Sequence, residues 1–497
     1  MTLDKDFVLA GLLPHNFFPA QKSTKEEMPP VFGSGAFTPD VAKRMVAGKL
    51  RNVSEYQGYD TVSYKLTRFN GIPRTCSIPH PAAYSHLALS IHDNWHNLDY
   101  ITKNNNSLVR PQAHEDGRVL IMDYEQTVDK TRRHLSSSFG RRVMVTTDIA
   151  NFFPSMYSHA VPWAAVGFGH SKKYKPPKYK SEWFNQLDQK LRLLNRNETH
   201  GVAIGPATSN VVSEVILARV DETLRRDFEF VRFIDDYTAY CKTEVDAEEF
   251  VRKLSKELAE YKLMLNIGKT KFVSLPQAIS EEWVTELALV LPANGVVSRY
   301  HAMSYLNLAV GLAKEVPDGS VVKYAAKALI RQKLGFMAKV DVLRYILTLC
   351  VYQPTLLPLL KNLFDDTMLF GIFRYGEELA HLAKENARFR RSDGMAWTLY
   401  YLNKYSVAIG DDLANEVLAS RDCVALLLLY LSGDASHQAS VVKFAKDLDA
   451  TDLYELDQYW LLLYELFRGG AIKNPYKGDD AFKILKDNDV SFVETTA

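Results

Sequence analysis

Two adjacent aspartates, Asp235 and Asp236, interrupt the strand-like run FVRFIDDYTAY (230–240), which carries aromatic residues on both sides of them. Aspartate is disfavoured inside a strand, so the pair belongs at a hairpin tip. There both side chains can face a site without being buried unpaired. A second run, RRVMVTTDIANFFPS (141–155), is β-rich and ends in Asp148, followed by Phe152 and Phe153. A carboxylate at a strand end and a carboxylate pair at a hairpin tip can converge on hard divalent cations. Mg²⁺ takes oxygen ligands and normally combines one or two carboxylates with substrate phosphates. Two such ions activate an attacking hydroxyl and steady a leaving pyrophosphate in phosphoryl transfer.

These runs must be positioned by the rest of the chain. Up to about residue 280, β-rich runs alternate with helical stretches such as SNVVSEVILARVDETLRRDF and AEEFVRKLSKELAEY, an α+β texture. Beyond about residue 285 the pattern is helical and Leu-rich, with breaks at Pro317, Pro354, Pro358, Gly371 and Gly433. KVDVLRYILTLCVY, AWTLYYLNKYSVAI and VALLLLYL are expected to be buried helices. Irregular stacked helices, as in an α-solenoid, and a compact bundle both fit this texture. The expected division is 1–280 and 281–497.

The 497 residues are 47% hydrophobic and 24% charged, which excludes wholesale disorder. Net charge is +1, which excludes coating of nucleic acid by bulk charge. The total hides a split: Lys+Arg exceed Asp+Glu by 6 over residues 1–280 and fall short by 5 over 281–497. The four cysteines form no CxxC pair, and neither a zinc site nor a disulfide framework is expected. With no secretory signal and no apolar run of membrane-spanning length, the expectation is a cytoplasmic protein. The loop SKKYKPPKYK (171–180) offers Lys172, Lys173, Lys175, Lys178 and Lys180, interleaved with two tyrosines. Such a loop either contacts a single strand through phosphates and stacking or is merely solvated.

In their order, the two aspartate runs resemble motifs A and C of reverse transcriptases. RFNGIPRTCSIPHP (68–81) resembles the fingers motif of retron and group II intron enzymes, GVAIGPATSN (201–210) resembles motif B, and LMLNIGKTKF (263–272) resembles motif D. The wording "IGPATS" followed by "RFIDDY" is similar to the abortive-infection reverse transcriptases of bacterial antiphage defence, including shorter prophage-encoded members. The resemblance implies a reverse-transcriptase palm and fingers followed by an all-α, HEAT-like helical domain in place of a thumb. It further implies template-independent, protein-primed DNA synthesis from dNTPs, with single-stranded DNA left covalently attached, and a homo-oligomer, trimer or hexamer.

The same resemblance assigns roles. Asp148, Asp235 and Asp236 match the catalytic carboxylates that hold two Mg²⁺, with Mn²⁺ as substitute, and the Ile149 carbonyl completes one shell. Phe153 matches the aromatic that excludes a 2′-hydroxyl. Arg68 and Arg74 match the fingers residues that hold the triphosphate, with Lys65 a weaker candidate. Gly205 allows close backbone approach to the nucleotide, and Lys269 matches the motif D lysine, a general acid for pyrophosphate. Thr208 and Ser209 are expected to cap or start the following helix. Ala203-Ile204-Gly205 stands where common reverse transcriptases have Pro-Gln-Gly, which puts template-guided selection in doubt. The priming hydroxyl is not singled out; Tyr400, Tyr401, Tyr405 and Tyr464 are candidates. A templated retron-type enzyme, a group II intron maturase and a non-catalytic nucleic-acid-binding scaffold are the alternatives.

Overall fold

The computed structural model describes residues 3–51, 57–68, 72–291, 295–317, 319–367 and 375–494. Six strands occur among them. β1 (Thr61–Leu66) and β2 (Arg74–Pro79) form an antiparallel hairpin. β3 (Val143–Asp148), β4 (Glu229–Phe233), β5 (Asp236–Cys241) and β6 (Lys271–Ser274) form a sheet in the order β4-β5-β3-β6, with every pairing antiparallel. The residues Asn70 and Gly71 of the fingers motif lie outside the described residues.

Two helices explain why this sheet holds its place. Glu244–Glu260 is amphipathic, with Ala247, Phe250, Leu254 and Leu258 on its buried side. Its start is fixed by a capping box, in which Thr243 and Asp246 each accept from the other's backbone N–H. Phe250 packs on Phe228 and Phe230 at the entry to β4. Ala207–Leu224 is buried on nearly every side, including Glu214 and Asp221. A helix buried all round belongs to the core, and its two acids need partners there. Thr208 and Ser209 do not cap it. Pro206 is the N-cap residue, and both hydroxyl residues lie buried in the first turn.

Past Ser274 every described element is helical. The stretches expected to be buried helices appear as Phe336–Leu349, Ser392–Lys404 and Cys423–Tyr430. Successive helices pack on one another, as Gly376–Arg388 does on Ser392–Lys404 and Asp411–Ser420.

The change of texture is not a gap in the core. Trp460, on the helix Trp460–Arg468, is fully buried, and its Nε1–H donates to the Ile78 carbonyl of β2 at 3.1 Å. Its ring meets Phe17, His80 and Phe492. Near the C-terminus, Glu494 N–H donates to the Val31 carbonyl and Gly33 N–H to the Phe492 carbonyl, so the chain returns to its own N-terminal segment. Arg51 pairs with buried Asp457 and lies over the Tyr59 ring, 3.9 Å from its centre. Asp393 accepts both the N–H and the hydroxyl of Thr67 at 2.8 Å, at the end of β1. The β1–β2 hairpin is thus tied to the C-terminal helices.

Candidate active site

The carboxylate site is built by sheet register. Asp148, the last residue of β3, lies opposite Asp236, the first residue of β5. Phe233 pairs with Asp236, so Ile234 and Asp235 form a two-residue hairpin loop. Ile234 has φ +58°, while Asp235 keeps a negative φ. This is the pattern of a II′-type turn, whose first central position normally takes glycine. A β-branched residue held there stores on the order of 1–3 kcal/mol of backbone strain. Strain of this kind persists only where the surroundings fix it.

The surroundings do fix it. Ile149 N–H donates to the Asp235 carbonyl at 3.3 Å. Arg232, on β4, donates to the Ile234 carbonyl at 2.7 Å through Nη1. Its guanidinium is fully buried and forks onto Glu214 at 2.7 and 2.9 Å and onto Asp221 at 2.7 and 2.9 Å. Asp221 also accepts from Asn104 Nδ2 and the Tyr237 hydroxyl. The buried acids of Ala207–Leu224 therefore find their partner at the base of the carboxylate hairpin. The motif-level reading passes over Arg232, because its partners stand 11 and 18 residues away on another element.

The three carboxylates repel one another. Burial, then the Asp236 charge, pushes Asp235 up to about 6. Burial and the nearby Asp148 charge raise Asp236 as well. Asp148 Oδ2 accepts from Lys269 Nζ at 2.6 Å, and that hydrogen bond raises the lysine, which stays protonated. Lys269 is delivered by backbone pairing: Ala150 N–H donates to the Met264 carbonyl, and Asn266 N–H to the Asp148 carbonyl. Asp148 Oδ1 is buried and has no partner among the described residues.

These features fit a divalent cation in donor chemistry: hard oxygens, an orphaned carboxylate oxygen, and like charges that a cation would relieve. As the side chains stand, no three acidic, His or Cys groups among the described residues converge closely enough to enclose one. Lys269 supplies positive charge at Asp148.

The other expected residues are placed as follows. Arg74 is exposed, and its charge lowers Asp235 slightly against the larger effects of burial and Asp236. Its strand neighbour across the hairpin is Leu66, whereas Lys65 pairs with Thr75 and projects from the opposite face. Lys65 therefore does not share the side of the hairpin that carries Arg74. Arg68 is exposed beyond β1, with no ion pair among the described residues. Gly205 has φ +125°, and a Cβ there would stand 2.6 Å from Pro19 Cβ. Its carbonyl accepts from Gln21, and the Ile204 carbonyl accepts from Ser77 on β2. The close approach that glycine permits here is to the N-terminal segment.

Phe153 begins beyond Asn151, whose φ of +48° turns the chain sharply after β3. The Phe153 ring is 6% exposed and packs on Phe152 at 5.0 Å. Phe153→Ala is expected to raise ribonucleotide relative to deoxyribonucleotide incorporation by about tenfold or more, since opening an apolar pocket changes discrimination on that scale. Competition between labelled dATP and ATP measures it, and an unchanged ratio contradicts the role.

In the lysine-rich loop all five lysines are exposed, but the tyrosines are engaged. Tyr174 and Tyr179 meet edge to face at 5.0 Å, and Asn185 Nδ2 donates to both of their carbonyls at 2.7 Å. Lys172 lies over Trp163. The loop offers charge rather than free rings for stacking. The tyrosines considered for priming are buried. Tyr401, Tyr405 and Tyr464 spend their hydroxyls on Leu357 O, Asp365 and Val490 O.

Residues 96–310 match the family model of the reverse transcriptase (RNA-dependent DNA polymerase). This stretch is a reverse transcriptase domain. It includes β3 through β6, both carboxylate runs and Lys269. Domains of this kind use divalent metals such as Mg²⁺ and bind nucleotides and nucleic acid. Among solved structures, the chain is similar to apo telomerase from Candida tropicalis truncated from its C-terminal domain, at 12% identity and TM-score 0.31, over 49% of this chain and 55% of that one. It is also similar to apo telomerase from the same organism, at 10% identity and TM-score 0.34, over 81% and 72%. A third is telomerase from Candida albicans in complex with a fragment of telomeric RNA, at 10% identity and TM-score 0.32, over 82% and 68%. The chain thus spans about half the length of the truncated enzyme. No curated protein matches it. No described helix is long and apolar enough to cross a membrane.

Proposed function

We propose that this chain is a two-metal DNA polymerase that works in abortive infection against phage, adding dNTPs without a template and priming from its own polypeptide. The observation that carries the nucleotidyl-transfer part is the hairpin register that sets Asp235 and Asp236 against Asp148, with Lys269 on the same carboxylate. Asp148, Asp235 and Asp236, with the Ile149 carbonyl, would hold the metals, which supply charge for the attacking hydroxyl and the departing pyrophosphate. Arg74 would hold the triphosphate, since its charge reaches Asp235 and its fork suits phosphate oxygens.

Two features support the finer reading. Ile204 brings no side-chain hydrogen bond where template-reading relatives place a glutamine. The helices from Glu282 onward pack on their sequence neighbours, which supports a HEAT-like helical domain in place of a thumb. The phage-defence role and the homo-oligomer rest on the resemblance that the motif wording carries, and the cytoplasmic setting on the dispersed cysteines.

Purified protein incubated with labelled dNTPs and Mg²⁺ or Mn²⁺, without template or primer, is expected to give a protease-sensitive labelled ladder on a denaturing gel. Product formed only with template and primer would instead favour a retron-type enzyme.

A further inference from the structure

We propose that Arg232 is a positioning residue, a latch that holds the strained Ile234–Asp235 turn so that both hairpin carboxylates face Asp148. The inference rests on the reading of these carboxylates as the metal site. Stability alone does not account for the Arg232 cluster, since a buried ion network can often be replaced by apolar side chains with no loss. What an apolar replacement could not supply is the donor to the Ile234 carbonyl, 2.7 Å away.

The geometry explains why that donor is needed. Ile234 sits at φ +58°, where its β-branched side chain disfavours the backbone. Left to itself the peptide would rotate toward negative φ and carry Asp235 with it. The Ile149 N–H to Asp235 carbonyl contact, at 3.3 Å, is long and holds only the far side of the turn. Arg232 holds the near side, and it is itself immobile. Glu214 and Asp221 take the rest of its fork, Asn104 and Tyr237 fix Asp221, and the Arg232 backbone is pinned between Asn106 and Leu108. Groups that orient metal ligands in this way typically matter by 10–100-fold in affinity or activity.

If the latch works by holding a strained turn, removing the strain should reduce the need for it. Glycine adopts positive φ freely. The test compares the full-length wild type with Arg232→Lys, Ile234→Gly and the double variant. Mn²⁺ binding is read by loss of the free-ion electron paramagnetic resonance signal, alongside dNTP incorporation. Arg232→Lys keeps the charge but loses the fork, and should weaken Mn²⁺ binding by about tenfold or more. The double variant should recover much of that loss, and Ile234→Gly alone should change little. A neutral triple, Arg232→Met with Glu214→Gln and Asp221→Asn, leaves no buried charge unpaired and covers the case in which Arg232→Lys does not fold. It too should bind Mn²⁺ weakly and be rescued by Ile234→Gly. Unchanged Mn²⁺ affinity in the latch variants, or an additive loss on introducing Ile234→Gly, overturns the latch. A wild type that binds Mn²⁺ but incorporates no dNTP counts against the polymerase reading and leaves the latch to the Mn²⁺ comparison.

Discussion

Trp460→Ala is expected to destabilise the whole chain by about 3–5 kcal/mol, the range for deleting a large buried aromatic. The indole is fully buried where three parts of the sequence meet: the N-terminal segment through Phe17, the end of the β1–β2 hairpin through Ile78 and His80, and the C-terminal end through Phe492. Truncation leaves a cavity between them and removes the donor to the Ile78 carbonyl. Edge-to-face contacts with Phe492 and Phe17 go with it, each such pair contributing about 0.5–1.5 kcal/mol beyond its area. Urea unfolding followed by tryptophan fluorescence and by circular dichroism measures the loss. A cost below about 1 kcal/mol, the scale of an exposed substitution, would contradict a core shared between the β1–β2 hairpin and the C-terminal helices. The same packing predicts that the two halves unfold together.

The sequence made the chemistry more legible than the architecture around it. The β run ending in Asp148, the aspartate pair at a hairpin tip, and the lysine after the motif D asparagine are all local patterns. Local patterns survive without knowledge of what packs on them. The helices Ala207–Leu224 and Glu244–Glu260 were legible for the same reason, through apolar periodicity. What was hidden depends on distant partners. Arg232 reads as one cation in a strand, and nothing nearby announces that Glu214 and Asp221 are buried against it. Tyr401 and Tyr464 read as available hydroxyls, yet both are buried and bonded to backbone carbonyls. The tyrosines of the lysine-rich loop read as stacking platforms, but Asn185 folds the loop onto itself. The texture change near residue 281 reads as a boundary, and only three-dimensional packing shows Trp460 and Asp393 reaching across it.

The second large effect is chemical. Asp148→Asn keeps the size of the side chain and removes its charge. Asp148 is the buried member of the carboxylate set, pairs in register with Asp236, and carries both the Lys269 contact and the one orphaned oxygen. An amide there binds a divalent cation poorly and presents N–H groups where Lys269 now donates. A loss of several kcal/mol in transition-state charge stabilisation corresponds to about 10³-fold or more in rate. The fold should survive, because the substitution is nearly isosteric and relieves repulsion on Asp235 and Asp236.

The most direct measurement is therefore incorporation of labelled dNTP into acid-insoluble product by the full-length protein in Mg²⁺ or Mn²⁺, with and without an RNA template and DNA primer, for wild type and Asp148→Asn side by side. Metal-dependent incorporation by the wild type that falls by about 10³-fold in a folded Asp148→Asn is the predicted result. Equal incorporation by the two proteins would contradict the assignment of these carboxylates as the centre of nucleotidyl transfer.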